Sequence, residues 1–394
     1  MLPHSNNLSS IYLDGNSLIL SSIVILIIGY YLLFMTFKNV KIALSISLLK
    51  TVIFYAYFYH FYSESNFNFI DQKTYFDHTN DIYLNYTSSL AEFLFSNIYS
   101  VKSGGHTFYL RYSVVSFFLF GVSITSPITL NIITSYLAVF VLNKILIAGE
   151  LDIKFRKFYL LIYLLNPGYL AWSSFFNLRD QLIQAVLIVT FYLFYKLIYH
   201  DKKRYLTIVP LLAFFFTLFF LRAHVAFIVV FIFATIFILK HIKRLNFKNF
   251  AILAISVAIT FVFLQPYIEI FFQLFHLFSQ TINARGIGGI LKMYLSPVFG
   301  VNVLYHGYGF MIFNSFFNIV MLPFLAFGIY RVIKDRRPIL LQFLFYFGAI
   351  FIIIALYDNV QGPRQRLMSE PMLLFLQLYG WSQALANFRR SREQ

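Results

Sequence analysis

The chain has 394 residues, 60% of them hydrophobic and only 12% charged, and its mean hydropathy is +0.74; a soluble domain of this length needs a far more charged surface, so the solvent is lipid. A net charge of +16 does not imply nucleic acid here, because the Lys and Arg gather in short loops between apolar runs, where they set membrane orientation and meet anionic lipid. With no Cys, disulfides, thiolate zinc sites and cysteine nucleophiles are excluded.

A hydrocarbon core of about 30 Å takes roughly 20 apolar residues per helical crossing. The first such run, near 16–36, has no Lys or Arg before Lys38. It lacks the basic start of a cleaved signal peptide and reads as a retained helix. Further runs follow near 42–62, 127–147, 158–175, 181–199, 205–222, 224–239, 249–271, 310–332, 338–357 and 370–388. The basic clusters are Lys38/Lys41, Lys154/Arg156/Lys157, Lys202/Lys203/Arg204, Lys240/Lys243/Arg244/Lys248, Lys334/Arg336/Arg337 and Arg389/Arg390/Arg392. With all of them cytoplasmic, the runs alternate without conflict. The stretch 109–124 is short and carries Arg111, so it is expected to lie in the interface or re-enter. The expected fold is an all-α polytopic bundle of about eleven spans, N-terminus outside and C-terminus inside. It forms one domain over 1–394, with interfacial helices in the outer loops 63–108 and 272–308.

Under this topology the remaining ionisable groups collect at the outer side. Arginines there run against the positive-inside bias, and each needs an anionic partner in the protein or in a ligand. In the first outer loop, Asp71, Tyr75, Asp77, His78 and Asp81 follow directly on an apolar span. A carboxylate there suits a general base or a cation ligand, and the same pattern describes a solvated helix with acids. No ligand spacing demands a divalent ion. Asn177-Leu-Arg179-Asp180 joins two runs almost without a loop, either as an anion site or as an ion pair capping the next helix. Arg222 and His224 form a second tight hairpin, open to lipid headgroups by snorkelling. Arg285 stands in a Gly-rich segment of the second long loop, a gate or a plain connector. Arg364 and Arg366, after Gly-Pro and ahead of Glu370-Pro371, have the spacing to clamp a diphosphate or headgroups. Phosphate-loop, Rossmann and His-Glu-x-x-His patterns are missing, and the cytoplasmic loops are too short for a nucleotide-binding domain. A lipid-borne substrate fits better than a soluble nucleotide.

The order of these motifs resembles the GT-C superfamily of polyprenyl-phosphate-dependent membrane glycosyltransferases and the related polymerases of bacterial surface polysaccharides. The resemblance runs over roughly 55 to 385. Asp71 with Tyr75 resembles the family's acidic motif in the first outer loop, and Phe118-Leu-Phe-Gly121 with the span through Asn131 its second membrane segment. Pro167, Ser173-Ser174 and Arg179-Asp180 resemble its hairpin, and Leu221-Arg222 its next arginine turn. Pro363-Arg364-Gln-Arg366-Leu with Glu370-Pro371 and Tyr379-Gly380 resembles its arginine-rich turn before a late span. Phe76-Asp77-His78 departs from the family pattern, which leaves Asp71 or Asp77 as the base. The resemblance implies sugar transfer at the periplasmic face of the bacterial inner membrane, from a polyprenyl-(pyro)phosphate-linked donor to a glycan acceptor. Arg179, Arg222, Arg364 and Arg366 would hold the departing phosphate, and Asp180 would orient Arg179. Within the class, an O-antigen or similar repeat-unit polymerase is expected. A monosaccharide transferase acting on a glycolipid and a flippase of lipid-linked sugars are the alternatives.

Overall fold

The computed structural model describes residues 12–62, 70–85, 107–199, 204–241, 311–357 and 367–393, with Ser9, Ser10, Leu90 and Phe93. The expected span at 249–271, the loop 272–308 with Arg285, and Arg364 and Arg366 lie outside them. The architecture is all-α, apart from a two-residue strand pair in which Ser9–Ser10 lies antiparallel to Leu13–Asp14. Among the described residues, four helices are long and apolar enough to cross a membrane: Gly15–Phe37, Val40–Phe61, Thr125–Ala148 and Asp180–Tyr199. The protein is therefore a membrane protein. Packing divides the chain into two compact units, Met1–Tyr192 with Leu212–Arg222, and Leu193–Leu211 with Ala223–Gln394.

In the first unit, α1 (Gly15–Phe37) begins where the Asp14 carboxylate accepts from the Ser17 N–H at 2.7 Å, satisfying one orphan donor of the first turn. It ends at Lys38, in the left-handed region with φ 51°. Asn39 then caps α2 (Val40–Ala56) by accepting from Ile42 N–H at 3.0 Å, so two residues suffice for the hairpin. A π-helical turn, Tyr57–Phe61, continues α2. Small residues line the inner face of α1: a Cβ at Gly29 would fall 2.7 Å from both Ser47 Oγ and the Tyr136 ring. Close approach through small side chains is how helices associate in lipid, where hydrophobic burial supplies little drive.

Helix α3 (Ile70–Asn85) packs on α4 (Thr107–Phe120), and α4 on α5 (Thr125–Ala148). At 14 residues, α4 is about 21 Å long, too short to cross the hydrocarbon unaided. Gly121, with φ 90°, turns the chain from α4 into α5 in a conformation that costs other residues strain. Helix α6 (Ile153–Leu165) is capped by Asp152, whose carboxylate accepts from Phe155 and Lys154 N–H groups; those bonds hold it below the usual carboxylate range. The single run expected at 158–175 is in fact two helices. Pro167 has no N–H to extend α6, and Asn166 caps a new helix, α7 (Pro167–Ser174), through Tyr169 N–H at 3.1 Å. Helices α8 (Asp180–Tyr199) and α9 (Arg204–Leu221) follow, with the part of α8 up to Tyr192 and the part of α9 from Leu212 in this unit.

Two contacts orient this unit. The Ile124 N–H donates to Tyr12 O at 2.8 Å, and Asn143 Nδ2 donates to Thr36 O at 3.0 Å, so α1 and α5 run parallel. The basic loops after each, Lys38/Lys41 and Lys154/Arg156/Lys157, therefore share one end. Arg156 reaches Asn143 Oδ1 at 3.5 Å at that same end.

In the second unit, α10 (Ala223–His241) packs on α13 (Pro338–Tyr357), with Phe233 and Tyr346 stacked at 5.5 Å. The run expected at 310–332 is also broken, at Met321 ahead of Pro323, into α11 (Met311–Val320) and α12 (Leu322–Asp335). A 3₁₀ turn, Leu367–Ser369, leads into α14 (Glu370–Glu393). Helices α12 and α14 meet backbone to backbone: a Cβ at Gly328 would overlap the Leu376 carbonyl, and one at Gly380 would overlap the Phe324 carbonyl and lie 2.7 Å from Gly328 N. Beside this seam, a buried polar contact joins α14 to α11, with Gln377 Nε2 donating to Asn318 Oδ1 at 3.0 Å.

Neither glycine in the seam can carry a side chain without moving a helix. Gly380→Leu is expected to lower stability by about 3 kcal/mol or more, at or above the upper end of overpacking costs. Gly348→Ala, where a Cβ meets only Met372 Sδ at 4.0 Å, is expected to be neutral or stabilising. Thermal unfolding of both variants in detergent checks the contrast.

Candidate functional site

The site is built in the first unit, where the turn between α7 and α8 enters a buried polar core. The ends of the turn are bonded to backbone, Phe175 N–H to Ala171 O and Ile183 N–H to Arg179 O, and the groups between that lack such partners must be satisfied by side chains. Gln72, on α3, accepts from Asn177 N–H at 3.0 Å. Asn131, wholly buried on α5, donates to Leu178 O at 3.2 Å. Tyr109 donates to Asn177 Oδ1 at 2.7 Å, and Tyr112 donates to Asn131 Oδ1 at 3.2 Å. Stacking of Tyr57 on Phe175, with centroids 4.1 Å apart, fixes the end of α2 against the same turn.

This framework presents the charged residues. Asp180 is the first residue of α8 and is 2% exposed; a carboxylate there is favoured by the helix dipole. Arg222 follows the last residue of α9, and its Nη1 lies 3.5 Å from Asp180 Oδ1. Arg179 Nη1 donates to Leu221 O at 2.9 Å, satisfying a carbonyl that the end of α9 leaves open. The two hairpins expected from the sequence thus meet. There Asp180 pairs with Arg222.

Helix α3 sets the acids apart. Gln72, Tyr75, Phe76, Thr79 and Ile82 are buried and form one stripe, with the Tyr75 ring edge-on to Tyr109 at 5.0 Å. At 100° per residue, Asp77 and Asp81 fall on the opposite side of the helix. Asp71 falls beside the stripe, one residue before Gln72 and one turn before Tyr75. Of Asp71 and His224 only the backbone position is described; His224 is the second residue of α10. Among the described residues no three His, Asp or Glu side chains gather as a metal site.

Sequence reasoning did not single out Gln72, Tyr109 or Gln181 as parts of this core. Gln181 Nε2 donates to the Tyr169 hydroxyl at 2.9 Å, and Tyr163 donates to Gln184 Oε1 at 2.9 Å. For Gln181 and Gln184 the available signal was an amide within an apolar run, which lipid tolerates only when it is bonded inside the protein.

No protein-family model, curated protein or solved structure matches the chain.

Removing one partner of a buried ion pair strands the other charge, at about 3–5 kcal/mol. Asp180→Asn is expected to destabilise the protein toward that range. Combining it with Arg222→Gln is expected to recover about 1–3 kcal/mol of the loss as pairwise coupling. A double-mutant cycle read by thermal unfolding checks this; strict additivity would mean that the two residues do not act as a pair.

Proposed function

We propose that this protein is a membrane glycosyltransferase that uses a polyprenyl-(pyro)phosphate-linked sugar donor at the periplasmic face of the bacterial inner membrane. Within that class we propose a polymerase of repeat units for O-antigen or a similar surface polysaccharide. The observation that carries the reading is convergence: segments 72–75, 109–112, 131, 177–180 and 221–222 meet in one buried polar core. Two guanidiniums and a carboxylate stand there beside the helix whose first turn carries Asp71. The reading also rests on the basic loops of the first unit sharing one end, which the positive-inside rule assigns to the cytoplasm. A bundle of about eleven spans, N-terminus outside, extends that orientation to the whole chain.

In the proposed reaction the acceptor hydroxyl oxygen attacks the anomeric carbon of the donor sugar. The bond from that carbon to the phosphate oxygen breaks, and the phosphate leaves with the electron pair. Asp71 takes the hydroxyl proton. Arg179 and Arg222 stabilise the charge that grows on the leaving phosphate, and Asp180 positions Arg222. Arg364, Arg366, Arg285 and His224 are further candidates for holding the carrier. Asp71 is preferred over Asp77 because it lies beside the packed stripe of α3, whereas Asp77 falls on the far side.

A carrier of lipid-linked sugars is the second reading, favoured by the presence of Lys50 halfway along a span, since transporters hold ionisable groups near the bilayer midplane. Loss of the gene separates the two: a missing polymerase leaves single repeat units on the cell surface, and a missing carrier leaves none. With purified protein and a defined polyprenyl-linked sugar, Asp71→Asn is expected to lower the transfer rate by about 10²–10⁴, and Asp77→Asn to leave it within a few-fold. A folded Asp71→Asn variant with full activity would remove that residue from the chemistry.

A further inference from the structure

Lys50 lies midway along the 22-residue Val40–Phe61 helix, about 15 Å from either end, and is 1% exposed. Its Nζ donates to Ser135 Oγ at 3.1 Å. It also rests over the rings of Tyr136, at 5.0 Å, and Tyr169, at 5.6 Å. Among the described residues no carboxylate pairs with it. One hydroxyl and two ring faces are slight compensation for a desolvated ammonium, and an apolar side chain of similar volume would pack there at lower cost. Stability of the bundle does not account for a lysine at this position.

The amine is joined to the site from two sides. Ser135 stands one turn beyond Asn131 on α5, and Tyr169 accepts from Gln181, the residue after Asp180. In the same core Asn177 Nδ2 and Gln181 Oε1 have no hydrogen-bond partner among the described residues, and both side chains are buried. Buried polar atoms are otherwise almost always bonded, so this core has bonding capacity for a ligand.

Resting on the carrier-lipid reading above, we infer that Lys50 is the deepest anion-binding residue of the site, pairing with a phosphate oxygen of the donor. Ser135 and the two tyrosine rings hold the ammonium in place while the protein is unliganded. A phosphate oxyanion then supplies the counter-charge that the described residues do not, in a charge-assisted bond of the stronger kind.

The test is binding of a polyprenyl monophosphate, and separately of inorganic phosphate, to purified protein in detergent, together with unliganded melting temperature. Lys50→Met is expected to weaken polyprenyl phosphate binding about tenfold to a hundredfold, with a melting temperature equal to or above that of the unmodified protein. Lys50→Gln, which keeps a donor without the charge, is expected to fall between them. Lys50-dependent binding of inorganic phosphate alone would keep the anion assignment and move its source from lipid to free phosphate. Unchanged affinity in folded variants, or loss of folding in both, would assign Lys50 to the structure and overturn the inference. If Arg222→Gln weakens binding and Lys50→Met does not, only the role of Lys50 fails. If the unmodified protein binds neither probe, the carrier-lipid reading fails with it.

Discussion

The side-chain amide of Asn131 is the interaction on which the site depends. Hydrocarbon offers no hydrogen bonds, so an irregular stretch of backbone survives at membrane depth only where protein groups complete it. Asn131 gives its N–H to Leu178 O and takes the Tyr112 hydroxyl on its oxygen. One residue thereby links α4, α5 and the turn ahead of α8. With Gln72 completing the neighbouring N–H, the turn can leave helical geometry inside the bundle and bring Arg179 and Asp180 with it.

The charges follow from that placement. Asp180 opens α8, where the helix dipole favours its sign, and Arg222 follows the last residue of α9. Their attraction is stronger here than at a solvated surface, because fewer waters compete for it. The neighbouring Arg179 is occupied in part by the end of α9. The fold therefore uses a guanidinium to close its own helix end while keeping it within the polar core.

Much of this was legible in the sequence, and the limits are specific. The length and uniformity of the runs at 16–36, 42–62 and 181–199 mark α1, α2 with its π-helical turn, and α8 to within a few residues. Arg179, Asp180 and Arg222 stood out because such residues are costly in lipid. Their pairing did not, because it depends on two hairpins meeting in space. The breaks at Asn166–Pro167 and Met321–Pro323 had visible signals, a capping amide and prolines, which the continuous apolarity of each run concealed. Gln72 and Tyr109 could not be separated from other polar residues by pattern alone, since their partners lie far away in sequence.

The contact between α12 and α14 has a consequence for descent. Where two backbones touch with no space for a single carbon atom, the spacing between the helices is a fixed length rather than a packing compromise. Gly328 and Gly380 thus act as a paired marker. A chain that shares this helix pair must keep both glycines, and one that has lost either must hold its last helices farther apart.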